Sequence, residues 1–174
     1  MSTITWQRRQ EIESISKDIL TSTHGPISAI LPPVDLNKIL DKYGLKLKAG
    51  KFADGAIAGV YERDTYTIYL SEDDPIQRQT FTVGHELGHF FLHQHKQKDI
   101  FRRVDAFHLD TTRGTDKIEE AEANFFAAVL LIPTDLIRTY WLVMKEIEHL
   151  ATLFGISETA VFWRLKNLGL IDTL

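Results

Sequence analysis

Apolar residues recur at helical spacing along much of the chain and alternate over residues 45–70. Ile12, Ile15 and Ile19 lie three and four apart behind Thr5, a residue type that caps helix starts. This predicts a first helix from Thr5 to about Thr21, broken by His24-Gly25-Pro26. Its polar positions, Arg8, Arg9, Glu13 and Lys17, read as solvated surface. Past Pro32-Pro33, Leu36, Ile39, Leu40 and Tyr43 share one face of a short helix that Gly44 stops. Residues 45–70 then change period. Leu45-Lys46-Leu47-Lys48 alternates, Ala56–Tyr61 is a second strand, and Glu62-Arg63-Asp64 turns it into the alternating Thr65–Leu70. The expectation is a small antiparallel three-stranded sheet. Its Gly55–Val60 stretch has little side-chain bulk. It is either an open edge, to which an extended substrate adds as a further strand, or a surface on which a helix packs closely.

From Asp74 the helical period returns. Asp74-Pro75 offers an N-cap and a first-turn proline. Val83, Leu87 and Phe90 form one stripe, and Phe81 and Leu92 add apolar groups to another face, so this helix is expected between two layers. Gly84 and Gly88 cost roughly 1 kcal/mol each against alanine in a helix, which points to close approach of another element. A further helix is expected over 115–132, ended by Pro133. His149–Val161 has helix-turn-helix spacing, with Gly155 in the turn and Ser157 as cap. The second helix of that pair offers Glu158, Thr159, Phe162, Trp163, Arg164 and Lys166. It is acidic at its start and aromatic in its middle, which suits packing better than a DNA groove. The C-terminal helices, about 145–170, are expected to pack on the rest of a single domain spanning 1–174.

Composition narrows the class. A chain of 174 residues with 44% hydrophobic and 25% charged residues is expected to be soluble and globular. The net charge of −4 disfavours a chain built to coat nucleic acid, and no direct nucleic-acid partner is expected. Without cysteine there are no disulfides and no thiolate ligands, which fits a cytoplasmic location. No apolar run reaches membrane-spanning length and no signal-peptide core is evident, so no membrane partner is expected.

The candidate chemistry lies in His85-Glu86-Leu87-Gly88-His89. On a helix, residues four apart stack on one face, so His85 and His89 can reach one metal ion. Glu86, one step round, stands where a general base takes a proton from a water that the metal activates. Catalytic zinc usually takes three protein ligands, so a third is required downstream. Glu120 is the first candidate. It shares its face with Asn124, which can orient an imidazole, and with the small Ala127. Glu119 is the second, although its spacing from Asp116 suits a capping box. Glu122 has no polar companion in its row. His93, His95, His108 or a tyrosine could stabilise an oxyanion. His93 continues the row of His85 and His89, but the rotation at each four-residue step places it beyond the metal, where it can instead support a ligand. Zinc is the expected cofactor, with manganese possible.

The two segments His85–His93 and Glu120–Pro133 together resemble the ImmA/IrrE family of metallopeptidases. Pro33-Val34-Asp35-Leu36, Phe154-Gly155-Ile156-Ser157 and Leu165–Ile171 are similar as well. The resemblance covers roughly residue 10 onward. It implies an α+β fold with a zincin-like helical core and a small sheet. It also implies metal ligands at His85, His89 and a glutamate of the second segment, with Glu86 as base. The substrates it implies are helix-turn-helix DNA-binding repressors that control mobile elements, prophages or stress responses. The competing readings are a regulator that binds metal and partner without cutting, and a toxin-like hydrolase held by an antitoxin. An intact Glu86 favours an enzyme over the first of these.

Overall fold

Among the described residues, the contact between two helices, α3 (Ile76–Leu92) and α4 (Asp116–Leu131), is the most extensive. The structure is a computed structural model that describes residues 4–94, 100–104 and 116–171. The glycines of α3 explain the intimacy of the contact. A Cβ on Gly84 would sit 3.2 Å from Ala127 Cβ, and one on Gly88 would sit 2.8 Å from Ala123 Cα and 3.1 Å from its carbonyl oxygen. Two backbones touch there because neither helix carries bulk. Gly88→Val should therefore destabilise the protein by about 1–3 kcal/mol, the usual cost of overpacking, measured as a shift of the denaturant midpoint.

The remaining elements wrap this pair. Helix α1 (Trp6–His24) is capped by Thr5, whose Oγ1 accepts from the Arg8 N–H at 3.2 Å. Asp35 caps α2 (Leu36–Tyr43), and Gly44 ends it in the left-handed region at φ 67°. Helix α3 starts one residue later than its sequence suggests. Pro75 holds the cap position with no side-chain cap, and the Asp74 carboxylate instead pairs with Arg78 at 3.3 Å.

The fold is α+β, as expected, but the sheet is neither three-stranded nor purely antiparallel. Strands β1 (Lys46–Gly50), β2 (Ile57–Glu62), β3 (Thr67–Ser71) and β4 (Ile100–Val104) lie in the order β1-β3-β2-β4. β1 runs parallel to β3, and β2 is antiparallel to both β3 and β4. Gly59 to Glu62 are thus paired on both sides, so β2 is not an edge and no substrate strand can add to it. Its small side chains serve helix packing. The cross-strand neighbours Gly59/Leu70 and Tyr61/Ile68 face α3, where the Tyr61 ring meets Phe90 edge-on at 5.7 Å.

After α4 come α5 (Thr134–Met144), which goes beyond the elements expected from the pattern, then α6 (Ile147–Phe154) and α7 (Glu158–Asn167). Gly155 turns between the last two at φ 66°, and Ser157 Oγ accepts from the Ala160 N–H. Val161 and Leu165 of α7 are buried in the core that the helices share with β2 and β3. Arg164, only 3% exposed, donates from Nε to the Ile132 carbonyl at 3.1 Å and from Nη2 to Thr134 Oγ1 at 2.7 Å and Glu13 Oε1 at 3.1 Å. This helix packs on the rest of the fold, as expected, but through Val161, Arg164 and Leu165; the aromatic Trp163 is 51% exposed and lies under Lys166 Nζ. The polar side of α1 is correspondingly not mere solvated surface: Glu13 binds Thr134 and Arg164, and Arg8 binds Glu122. No single helix among the described residues is long and apolar enough to cross a membrane.

Candidate metal centre

Helix α3 presents His85, His89 and His93 in a row facing α4, all three essentially excluded from solvent. The Nε2 atoms of His85 and His89 lie 3.0 Å apart. Glu120, reaching from the first turns of α4, places Oε2 3.3 Å from His85 Nε2 and Oε1 3.1 Å from His89 Nε2. Tetrahedral coordination with metal–ligand bonds of about 2.0–2.1 Å separates donors by about 3.3 Å. The three donors therefore fit a small divalent cation, and they could hold one. Their chemistry fits as well. Two buried imidazole nitrogens and a carboxylate turned towards one point need a cation or shared protons between them. Burial works against the charged form of Glu120. Hydrogen bonds from His85 and His89 outweigh it and hold this carboxyl well below the usual range.

Glu86 is also fully buried, one position along α3 from His85. β2 backs it. A Cβ on Gly59 would collide with Thr82 Cγ2 and stand 3.4 Å from Glu86 Oε1, so the missing side chain makes room for this part of α3. Glu119 is buried beside Glu120, but the converging donors come from Glu120.

The far nitrogens of both imidazoles have partners. His85 Nδ1 lies 2.9 Å from Asn124 Oδ1, the orientation role expected for that amide. His89 Nδ1 lies 3.1 Å from His93 Nδ1, and His93 Nε2 lies 3.2 Å from Glu122 Oε2. Arg8 grips the same carboxylate with two parallel bonds, Nε to Oε1 at 3.0 Å and Nη2 to Oε2 at 2.7 Å. Burial raises the Glu122 pKa, but the Arg8 and His93 hydrogen bonds lower it more, and the net shift is downward. Arg8 is shifted upward in turn, chiefly by its bond to Glu122.

Glu122 thus has two polar companions, where its own helical row shows none. Arg8 escapes any reading by spacing, because it is 114 positions away. Of the residues considered for an oxyanion, His93 lies behind His89, where its place further along the 85, 89 row puts it, while His95 and His108 fall outside the described residues. Tyr43, Tyr61 and Tyr66 lie against Phe90, on the apolar side of α3.

A helix bearing two histidines four apart, a glutamate between them and a third donor from the next long helix, set against a small sheet, has the arrangement of a metallopeptidase. The chain belongs to the peptidase family M78, the IrrE N-terminal-like domain, whose model matches residues 40–166. It is 27% identical over 163 residues to Metallopeptidase ImmA of Bacillus subtilis (strain 168), covering 92% of this chain and 85% of that protein. It is 28% identical over 115 residues to an uncharacterized immunity region protein 2 of Bacillus phage phi105, covering 65% of this chain and 67% of that one. Among solved structures, a Mycobacterium tuberculosis transcriptional regulator superposes with a TM-score of 0.67 at 15% identity, a likeness of fold alone. That match covers 92% of this chain, which spans about half of the regulator's length (48%).

Proposed function

We propose that this chain is a zinc-dependent endopeptidase that cleaves a helix-turn-helix DNA-binding repressor, and by doing so switches on a mobile element, a prophage or a stress response. One observation carries the reading: three donors, from buried His85 and His89 and half-buried Glu120, converge at tetrahedral spacing beside Glu86. A set of two imidazoles and one carboxylate suits zinc, and manganese is the alternative. The bound ion would supply Lewis acidity to the peptide carbonyl and to the attacking water. The chain's own residues do the rest. Glu86 accepts the proton of the attacking water and delivers it to the leaving amine. Asn124 and His93 keep the two imidazoles turned with Nε2 towards the donor cluster. In this reading residues 1–174 act as a single metallopeptidase domain in the cytoplasm.

The likeness to Metallopeptidase ImmA and to a phage immunity-region protein supports a substrate connected with prophage or mobile-element control. The test is to incubate the zinc-loaded protein with any helix-turn-helix repressor that a neighbouring reading frame encodes. Site-specific cleavage that a chelator stops and zinc restores is the expected result. An intact repressor in the presence of fully loaded protein would overturn the assignment of substrate.

A further inference from the structure

The bonds that begin at His89 do not stop at its immediate neighbour but run out to the first helix of the chain. We propose that Arg8 is a positioning residue of the metal centre, acting through Glu122 and His93 to fix the tautomer and orientation of His89. The inference rests on the reading of His85, His89 and Glu120 as metal ligands.

The direction of every bond follows from the first. His89 turns Nε2 towards Glu120 and His85, and once that nitrogen ligates a metal it carries no proton, so Nδ1 must carry one. That N–H donates to His93 Nδ1, which must therefore be the bare nitrogen of a neutral ring. The proton of His93 then sits on Nε2 and donates to Glu122 Oε2. For this to hold, Glu122 must be an acceptor with no proton of its own, and its oxygens must not turn away. The two-pronged grip of Arg8 secures both conditions: it compensates the buried negative charge and fixes the carboxylate plane. Lysine could supply the charge but not the fork.

The two ligands are thus supported unequally. His85 leans on a neutral amide carried by α4 itself. His89 leans on an ion pair joining α4 to α1, and Arg8 lies outside residues 40–166, the stretch matched by the family model. The donor geometry of the centre therefore depends on α1 being docked, and metal binding and α1 docking stabilise each other.

The experiment measures zinc affinity by competition with a chromophoric chelator, and ligand geometry by the visible spectrum of the cobalt(II)-loaded protein. Arg8→Gln should weaken zinc about 10-fold or more, in the range that outer hydrogen-bond partners of ligands usually cost. Arg8→Lys should fall between that variant and the wild type, and Glu122→Gln, which keeps the side-chain volume, should weaken zinc as well. In a His93→Phe background Arg8→Gln should add nothing, because the link it acts through is already cut. Its cobalt spectrum should shift towards that of His93→Phe. A merely structural Arg8 would lower the melting temperature of the metal-free protein and leave zinc affinity and spectrum unmoved. Zinc affinity within about twofold of wild type in Arg8→Gln, or losses that simply add in the double variant, would overturn the inference. His89→Ala serves as the control. If it keeps full zinc affinity, the ligand assignment itself fails. If it loses zinc while Arg8→Gln does not, the role of Arg8 alone is wrong.

Discussion

Replacing Glu86 with glutamine should abolish peptide hydrolysis while leaving metal content and fold intact. The side chain is fully buried and held against β2 by the absence of a side chain at Gly59, so a substitution of equal volume disturbs little packing. What changes is proton chemistry. A carboxylate can take a proton from water and return it to an amine, whereas an amide can do neither at neutral pH. General acid–base catalysis contributes roughly 10²–10⁴-fold, so single-turnover cleavage should fall by at least that factor. The measurement pairs cleavage rate with metal analysis and a thermal melt of the same sample. Cleavage within tenfold of wild type in a metal-loaded Glu86→Gln protein would remove Glu86 from the mechanism.

Glu120→Ala should lose the metal altogether, as should His85→Ala and His89→Ala. Each of the three donors faces the other two at 3.0–3.3 Å, and none of the remaining pairs can complete a three-ligand site. The loss of affinity should exceed the roughly 10–100-fold that follows from disturbing an outer partner. Glu119→Ala is the informative contrast, because Glu119 is buried one position away on the same helix. It should keep about one zinc per chain. The reverse pattern, with metal retained in Glu120→Ala and lost in Glu119→Ala, would transfer the third ligand to Glu119.

The parts of this architecture that depend on local spacing were readable from the residues. The face of α3 follows from the four-residue repeat of its histidines, and the depth of its contact with α4 from Gly84 and Gly88. Asn124 was readable because it lies one turn from Glu120 on the same face. The order of the sheet was not, because nothing in β1 says that its partner is β3 and that the two run parallel. The small residues of β2 suit an edge and a helix-packed interior equally well. Only β4, drawn from a stretch whose own pattern is ambiguous, closes the second side of β2. The pairs Arg8–Glu122 and Glu13–Arg164 lie beyond any local reading, since a charged residue on an exposed-looking helical face carries no mark of a partner more than a hundred positions away.

The buried guanidinium of Arg164 has a consequence for the order in which the protein is made. It reaches the Ile132 carbonyl just past the end of α4 and the Glu13 carboxylate on α1, 151 positions upstream. During synthesis α1, α3 and α4 are made before the residue that ties them together. Contacts this distant in sequence form late, because the intervening chain must first be ordered. Helix α7, made after α1, α3 and α4, thus ties α1 to the frame that carries the candidate metal ligands, and that tie is absent until α7 has been made.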